Sequence, residues 1–411
     1  MKARAYVPVL ALVLALYGTD ALARTWSVRA GPEAAAQIAG AITVAKPKDR
    51  IQLGSGRFEL TAPIALNVSQ LVFRGAGPDK TILSFTGLAA AGATCVQAAG
   101  VQIELSGFAV ENCPGDAIKV QGADQATLAN LRADWVTARA PSASGISAVQ
   151  SKNVFVDTVV ARGASIAGVR IAESSNVIVR DSVAAQNTIG FAIENTIGAD
   201  LSRNNATRNA VGVAVYDLPG QSQTGRMIRL FDKNQIMAND SQSSAPAGSF
   251  AASLSPGVGV LITASTDVHV LENQIGENPS VNVLLSGYRG SSADPKFNAL
   301  PRNIAIRRNE FTRAGFAPMG DLKALADQKV AMPDILWDGA DTYFSGGGAR
   351  QQPILLAIER NRGVAAGNTA SFVNLGLITA GADFADMQPS ATFPPITNVP
   401  EAPEVKLPRG M

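Results

Sequence analysis

The feature that most constrains this chain is a repeat. Gly145, Gly168, Gly190 and Gly212 recur every 22 to 23 residues, a period that belongs to solenoids and not to closed globular folds. Each glycine opens a short alternating segment, Ile146/Ala148, Val169/Ile171, Phe191/Ile193 and Val213/Val215, while Ser147, Arg170, Ala192 and Ala214 point the other way. Alternation of this kind makes one strand per coil with one face turned inward. A second strand follows in Val154/Val156, Val177/Val179, Ala199/Leu201, Val268/Val270 and Ile304/Ile306.

Three residues past the second strand an asparagine returns, at Asn204, Asn234, Asn273, Asn309 and Asn361. In stacked parallel coils such residues lie about 4.8 Å apart, close enough for their amides to bond one another and the turn backbone. We read them as an internal ladder, because turn chemistry and amide pairing account for them without a ligand. Short β-branched strands bounded by Gly, Asn, Asp and Ser exclude a doubly wound α/β fold. The expected fold is all-β, a single-stranded right-handed parallel β-helix, over residues 24–380. Open ends invite edge-to-edge association, so a cap is expected. Residues 32–42, with Pro32 and Glu33 leading, read as a short amphipathic capping helix. Residues 381–411, rich in proline, read as an extended tail.

From about residue 217 the ladder spacing grows to 30, 39, 36 and 52 residues, so the later coils carry insertions. Those at 217–226, 286–301 and about 338–351 fall at one corner, between first and second strands, and stacked loops there wall a groove. The groove offers Asp217, Tyr288, Arg289, Asp294, Lys296, Trp337, Asp338, Asp341 and Tyr343, with Glu173, Asn195 and Arg170 beside it. Carboxylates, a guanidinium and aromatic faces in one cleft suit a saccharide chain, the rings stacking on sugar faces and the charges fixing hydroxyls or uronates. Asp217, Glu173 and Arg170 are the candidate catalytic groups. Tyr288, Arg289, Asp294, Trp337, Asp338 and Tyr343 are the candidate substrate contacts. Taken singly, each is more readily read as a solvated loop residue or a turn-former than as a site residue.

The N-terminus has Lys2 and Arg4, an apolar run from Val7 to Tyr17, and Ala21-Leu22-Ala23 before a cleavage point, so residues 1–23 read as a signal peptide and the expected location is periplasmic or extracellular. The run is shorter than the roughly 20 residues of a membrane span, and no later stretch qualifies. Without Lys2, Arg4 and Asp20 the chain holds 33 basic and 32 acidic residues, which argues against nucleic acid and anionic membranes as partners. A polysaccharide or another envelope component is the expected partner. An exported protein can form disulfides, but aligning the coils sets Cys95 opposite Ala117, four residues from Cys113. Two separate thiols are therefore favoured over a bridge.

The runs Arg74–Leu83 (RGAGPDKTIL), Gly115–Val120 (GDAIKV) and Val215–Gly220 (VYDLPG) resemble bacterial parallel β-helix repeat-containing proteins of the pectate-lyase-like superfamily, with a distant similarity to alginate C5-epimerases. The resemblance covers most of the mature chain and implies the fold and an envelope location. It transfers no catalytic residue. The epimerase motif Asp-Pro-His-Asp is missing, since the lone histidine, His269, stands in Asp267-Val268-His269-Val270. The Arg-x-Pro-x-x-Arg segment of pectate lyases has no match, nor have the Asn-Thr-Asp, Asp-Asp and Gly-His-Gly motifs of polygalacturonases. His269 could act as a general base, but its column neighbours Phe155, Ile178 and Asp200 favour a merely packed or surface side chain. No cofactor is implied: one His and two Cys do not make a copper site, and Asp294, Asp338 and Asp341 lack the spacing of a known calcium loop. Two readings stand nearly level, an enzyme acting on a polysaccharide as lyase, epimerase or hydrolase, and a non-catalytic envelope binding or scaffold protein, because one fold hosts many functions.

Overall fold

The computed structural model describes residues 23–137, 142–345, 348–364, 369–392 and 398–411; nearly all of the expected signal peptide lies outside them. Among the described residues the strands form a 20-stranded sheet, an 11-stranded sheet and a two-stranded antiparallel ribbon. In the two large sheets every strand pairing is parallel and joins one coil to the next, which is a parallel β-helix. The 11-stranded front sheet takes the first strand of each coil. The back sheet takes the second and a short third, as in Ala167–Ala172, Ser175–Arg180 and Val183–Ala185. The expected registers hold: Ile146 pairs with Val169, Val169 with Phe191 and Phe191 with Val213.

Inward residues fill the bore with aliphatic and aromatic side chains, among them Phe58, Phe73, Phe108 and Phe191, all fully buried. Each such burial is worth about 1.5–3 kcal/mol. The glycine column is required by close approach. A Cβ on Gly145 would lie 2.6 Å from Gly168 O, one on Gly190 2.4 Å from Gly212 O, and one on Gly212 2.6 Å from Gly259 O.

The asparagine ladder is continuous. Asn204 Nδ2 donates to Asn234 Oδ1 (3.0 Å), Asn234 to Asn273 (2.8 Å), Asn273 to Asn309 (3.1 Å) and Asn309 to Asn361 (3.0 Å). A second ladder, absent from the sequence reading, runs through Asn187, Asn209, Asn239 and Asn278, with amide contacts of 3.0–3.1 Å. It lies at the corner leading into the front sheet, its amides tucked beneath the glycine column: Cβ positions at Gly168, Gly190, Gly212 and Gly259 would fall 2.6–2.8 Å from these Nδ2 atoms.

Helix α1 (Ala34–Val44) turns Ala34, Ile38 and Ala41 onto the first coil and covers that end. It starts two residues later than the sequence pattern indicated. Among the described residues no helix is long and apolar enough to cross a membrane.

The expectation of separate thiols is corrected. Cys95 and Cys113 form a disulfide with their Cα atoms 5.9 Å apart. Cys95 does precede the Val96–Ile118 pair, as aligned. The four residues of offset are spent on the corner at Pro114–Asp116, which folds Cys113 back beside Cys95, so sequence offset overstated the distance.

Candidate functional site

The outward column of the front sheet changes character along the solenoid. Ser147, Arg170, Ala192 and Ala214 are followed in register by Leu261, Leu284 and Leu336. The apolar stretch coincides with the insertions, and an outward leucine on a sheet needs either a cover or a ligand. Part of it is covered and part is open. A cleft of about 890 Å³ sits on this floor, a size that suits a small organic ligand or a short stretch of polymer.

One wall comes from the corner named in the sequence reading, where residues 217–225, 287–301 and 338–345 follow front strands. They do not occupy successive coils, since the intervening coil turns through Ala264 and Ser265 alone. The other wall was missed. It consists of residues 238–257, with a 3-10 turn at Phe250–Ser253, and residues 312–334, with helix α2 (Asp321–Asp327). Leu375 and Phe384 close the end. Polar atoms reach the cleft from Thr263, Ser286, Gln221 and the serines flanking Phe250. At the mouth Arg289 Nη1 pairs with Asp321 Oδ2 (2.9 Å), joining the two walls, and its guanidinium lies 4.4 Å above the Phe384 ring.

Of the sequence candidates, Tyr288, Arg289 and Asp338 line this cleft. Asp338 is buried, its Oδ2 accepting from Gly287 N–H (2.6 Å) and its Oδ1 from Ala340 N–H (3.0 Å), so both oxygens shape the adjoining turns. Burial pushes its carboxyl up to about 6, against the pull of those two N–H groups. Tyr288 packs edge-on to Phe297, centroids 5.2 Å apart.

The remaining candidates lie elsewhere. Trp337 pairs with Leu285 and turns inward to the bore, where its Nε1 finds no partner. Tyr343 is buried against Phe297, Leu300 and Ala340 inside the loop wall. Asp294 Oδ1 accepts from Lys296 N–H (2.9 Å) in its own turn, and Asp341 binds Thr342 and Gln351 of the ribbon. Asp294, Asp338 and Asp341 thus serve separate turns, and among the described residues no three His, Cys, Asp or Glu side chains are grouped to hold a metal.

Asp217, Glu173 and Arg170 do not line the cleft. Asp217 Oδ2 accepts from Gly225 N–H (2.8 Å), closing the 217–225 loop, while Oδ1 is buried without a partner. Burial pushes this carboxyl up to about 7. Asn195 pins the same loop through Leu218 and Gln223. Glu173 accepts from Ser222 N–H (2.9 Å); partial burial opposes ionisation, but the bonds from Ser222 and Gln150 and the positive charge of Arg170 hold it below the usual range. Arg170 is tied to Glu194 Oε2 (2.8 and 3.1 Å), which also accepts from the Tyr216 hydroxyl (3.2 Å). Tyr216 in turn stacks on Phe250, 4.3 Å between centroids, so this group braces the far side of the cleft wall. Glu194 and Phe250 were missed; the switch to Leu261, Leu284 and Leu336 in the outward column was the available signal.

Residues 83–291 match the family model described as right handed beta helix region. No curated protein matches the chain. Among solved structures, a DFA-IIIase of Arthrobacter chlorophenolicus in complex with DFA-III aligns with TM-score 0.55 at 11% identity, over 88% of this chain and 87% of that one. A mannuronan C-5 epimerase A-module of Azotobacter vinelandii gives 0.47 at 13% identity, over 85% and 96%. An alginate lyase of a Paenibacillus species gives 0.47 at 12%, over 85% and 97%. At these identities the likeness is one of fold.

Proposed function

Because the chain belongs to the right-handed β-helix family, with insertions that wall an apolar-floored cleft on its front sheet, we propose that it is an exported protein that binds a saccharide chain in that cleft. The observation that carries this reading is the lining: Phe250, Tyr288 and Phe384 stand around the partly exposed Leu284, with Leu261 and Leu336 packed behind it and with hydroxyls and an amide at the rim. A pyranose ring has one face of C–H groups and an edge of hydroxyls, and this cleft pairs rings and leucines with hydrogen-bonding groups in the same way. Export to the periplasm or beyond rests on the N-terminal pattern of residues 1–23.

Binding is favoured over processing by what the carboxylates do. Acid–base cleavage of a sugar chain needs carboxyl groups free to exchange protons with the substrate. Here Asp338 spends both oxygens on backbone N–H groups and Asp321 is paired with Arg289.

The test is calorimetric titration of the purified protein with uronate and neutral oligosaccharides, with products followed by chromatography. Saturable binding that weakens about tenfold or more in Phe250→Ala and Tyr288→Ala, a loss of roughly 1.4 kcal/mol or more, without product, is the expected result. Product formation abolished by Asp338→Asn would replace the binding reading by an enzymatic one. Absence of saccharide binding would reject both.

A further inference from the structure

A second surface lies on the back sheet, away from the cleft. The outward column there reads Asp200, Arg229, His269, Ala305, Ala357 in continuous register. Residues 399–405 lie across it. Val399 packs on Ala305 and Ala357, and its carbonyl accepts from Arg307 Nη2 (3.4 Å). Val405 N–H donates to Asp200 Oδ2 (3.1 Å), with its side chain over Gly198. From Ala357 to Asp200 is four rungs, about 19 Å, and six residue steps of extended chain span about 20 Å. The segment therefore runs straight, at right angles to the strands it crosses. Pro400 and Pro403 favour that extended form.

Past the two alanines, what lies beneath is polar. Arg229 Nε donates to Asp200 Oδ1 (2.7 Å), and this pair is almost sealed from solvent. His269 is 1% exposed and its Nδ1 has no partner. The groups facing that ring are Arg229 and Arg307 from neighbouring strands, Asp267 from its own, and Glu401 from the tail; burial first, then the two arginines, hold it neutral with its pKa lowered to about 4. Glu401 and Glu404 add their negative charge over Arg229. A segment serving only to seal a hydrophobic seam would cover an apolar row. This one covers Asp, Arg and His as well as the two alanines, anchored by two valines, with its acidic side chains left exposed. Burying charge opposes the contact, so it is suited to exchange.

We infer that this row is a peptide-binding surface for an extended acidic segment, that residues 399–405 occupy it in cis, and that an acidic extended peptide of a partner protein competes with the tail for it. A peptide is favoured over a polyuronate because the contacts read main-chain groups, an N–H at Asp200 and a carbonyl at Arg307.

The experiment uses the full chain and a fluorescent peptide with the sequence of residues 398–411. In Val399→Asp/Val405→Asp, where the tail anchors are removed, the peptide should bind saturably, at least tenfold more tightly than to the wild-type protein, and adding Arg229→Gln should remove that gain. Hydrogen exchange should show the tail released while the coil amides stay protected. A second variant, Glu401→Lys/Glu404→Lys, changes only exposed side chains and should raise peptide affinity in the same direction. Released tails with no gain in peptide binding in either variant would overturn the inference. So would polygalacturonate competing as well as the peptide does, since the row would then read charge alone.

Discussion

Replacing Asp217 with asparagine should make the protein more stable at pH 8 and leave it unchanged at pH 4. The side chain is 1% exposed, its Oδ1 has no partner, and burial raises its carboxyl from an ordinary 3.8 to about 7. Between those values the native state holds a proton that the unfolded chain has released. Stability from this group is therefore full below about pH 4, falls as pH rises, and is fully lost once pH passes about 7. The shift, at about 1.4 kcal/mol per unit, sets an upper bound of about 4 kcal/mol for the loss. Asparagine keeps an oxygen for Gly225 N–H and carries no charge, so the variant escapes the loss. Asp338, raised to about 6, adds a decline of the same sign to both proteins, and it cancels in their difference. Urea unfolding at pH 4, 6 and 8 measures this, the two proteins sharing one m-value. A difference that does not vary with pH, or a variant weaker at pH 8, would refute the assignment of Asp217 as a buried loop-closing acid.

Asn234→Ala should cost about 3–5 kcal/mol, because it orphans Asn204 N–H and Nδ2 and strips donors from Leu201 O and Asn273 Oδ1, at about 1–3 kcal/mol per buried group. Asn361→Ala orphans Asn309 N–H and Nδ2 and the Ile306 carbonyl and should cost a comparable amount, about 3–5 kcal/mol, and a loss under about 1 kcal/mol for either variant in denaturant melts would contradict the ladder account. Gly190→Ala should destabilise by about 2–3 kcal/mol or more, since its Cβ would sit 2.4 Å from Gly212 O, whereas Gly40→Ala on α1 meets nothing within 4 Å and should be neutral or stabilising in the same thermal melts. Reducing Cys95–Cys113, a bridge of sequence separation 18, should lower stability by about 3 kcal/mol, read as a drop in urea midpoint with reductant.

The coil stack was legible because its signals are strictly periodic: a glycine forced by backbone contact, an asparagine forced by a buried turn, and alternation that fixes register. The second ladder was equally present, Asn209, Asn239 and Asn278 each standing five residues after a member of the first. It was overlooked because a turn asparagine in isolation is unremarkable. Trp337 was expected in the groove although Ile335 and Trp337 have the parity of Val283 and Leu285, which face the bore. The cleft was half legible. Insertions can be counted from spacing, but which side chains they aim inward depends on local turns, as at Asp217 and Asp294, and on covering segments such as Phe250–Ser253 and α2 that no repeat predicts. The disulfide failed for a related reason, since a corner shortens distance in a way that strand alignment does not record.

The first ladder's corner is never lengthened. The second and third strands are joined there by only two or three residues in each coil from Asp181-Ser182 to Arg308-Asn309, whereas all growth falls at the two corners flanking the front sheet. A longer turn at the first ladder would break an amide contact above and below at once; at the second ladder the added residues come after the asparagine, as in 240–257 after Asn239, so its amide contacts survive the insertion. Insertions in this chain are thereby confined to the face that carries the cleft, where a turn can lengthen without breaking the stack that folds it.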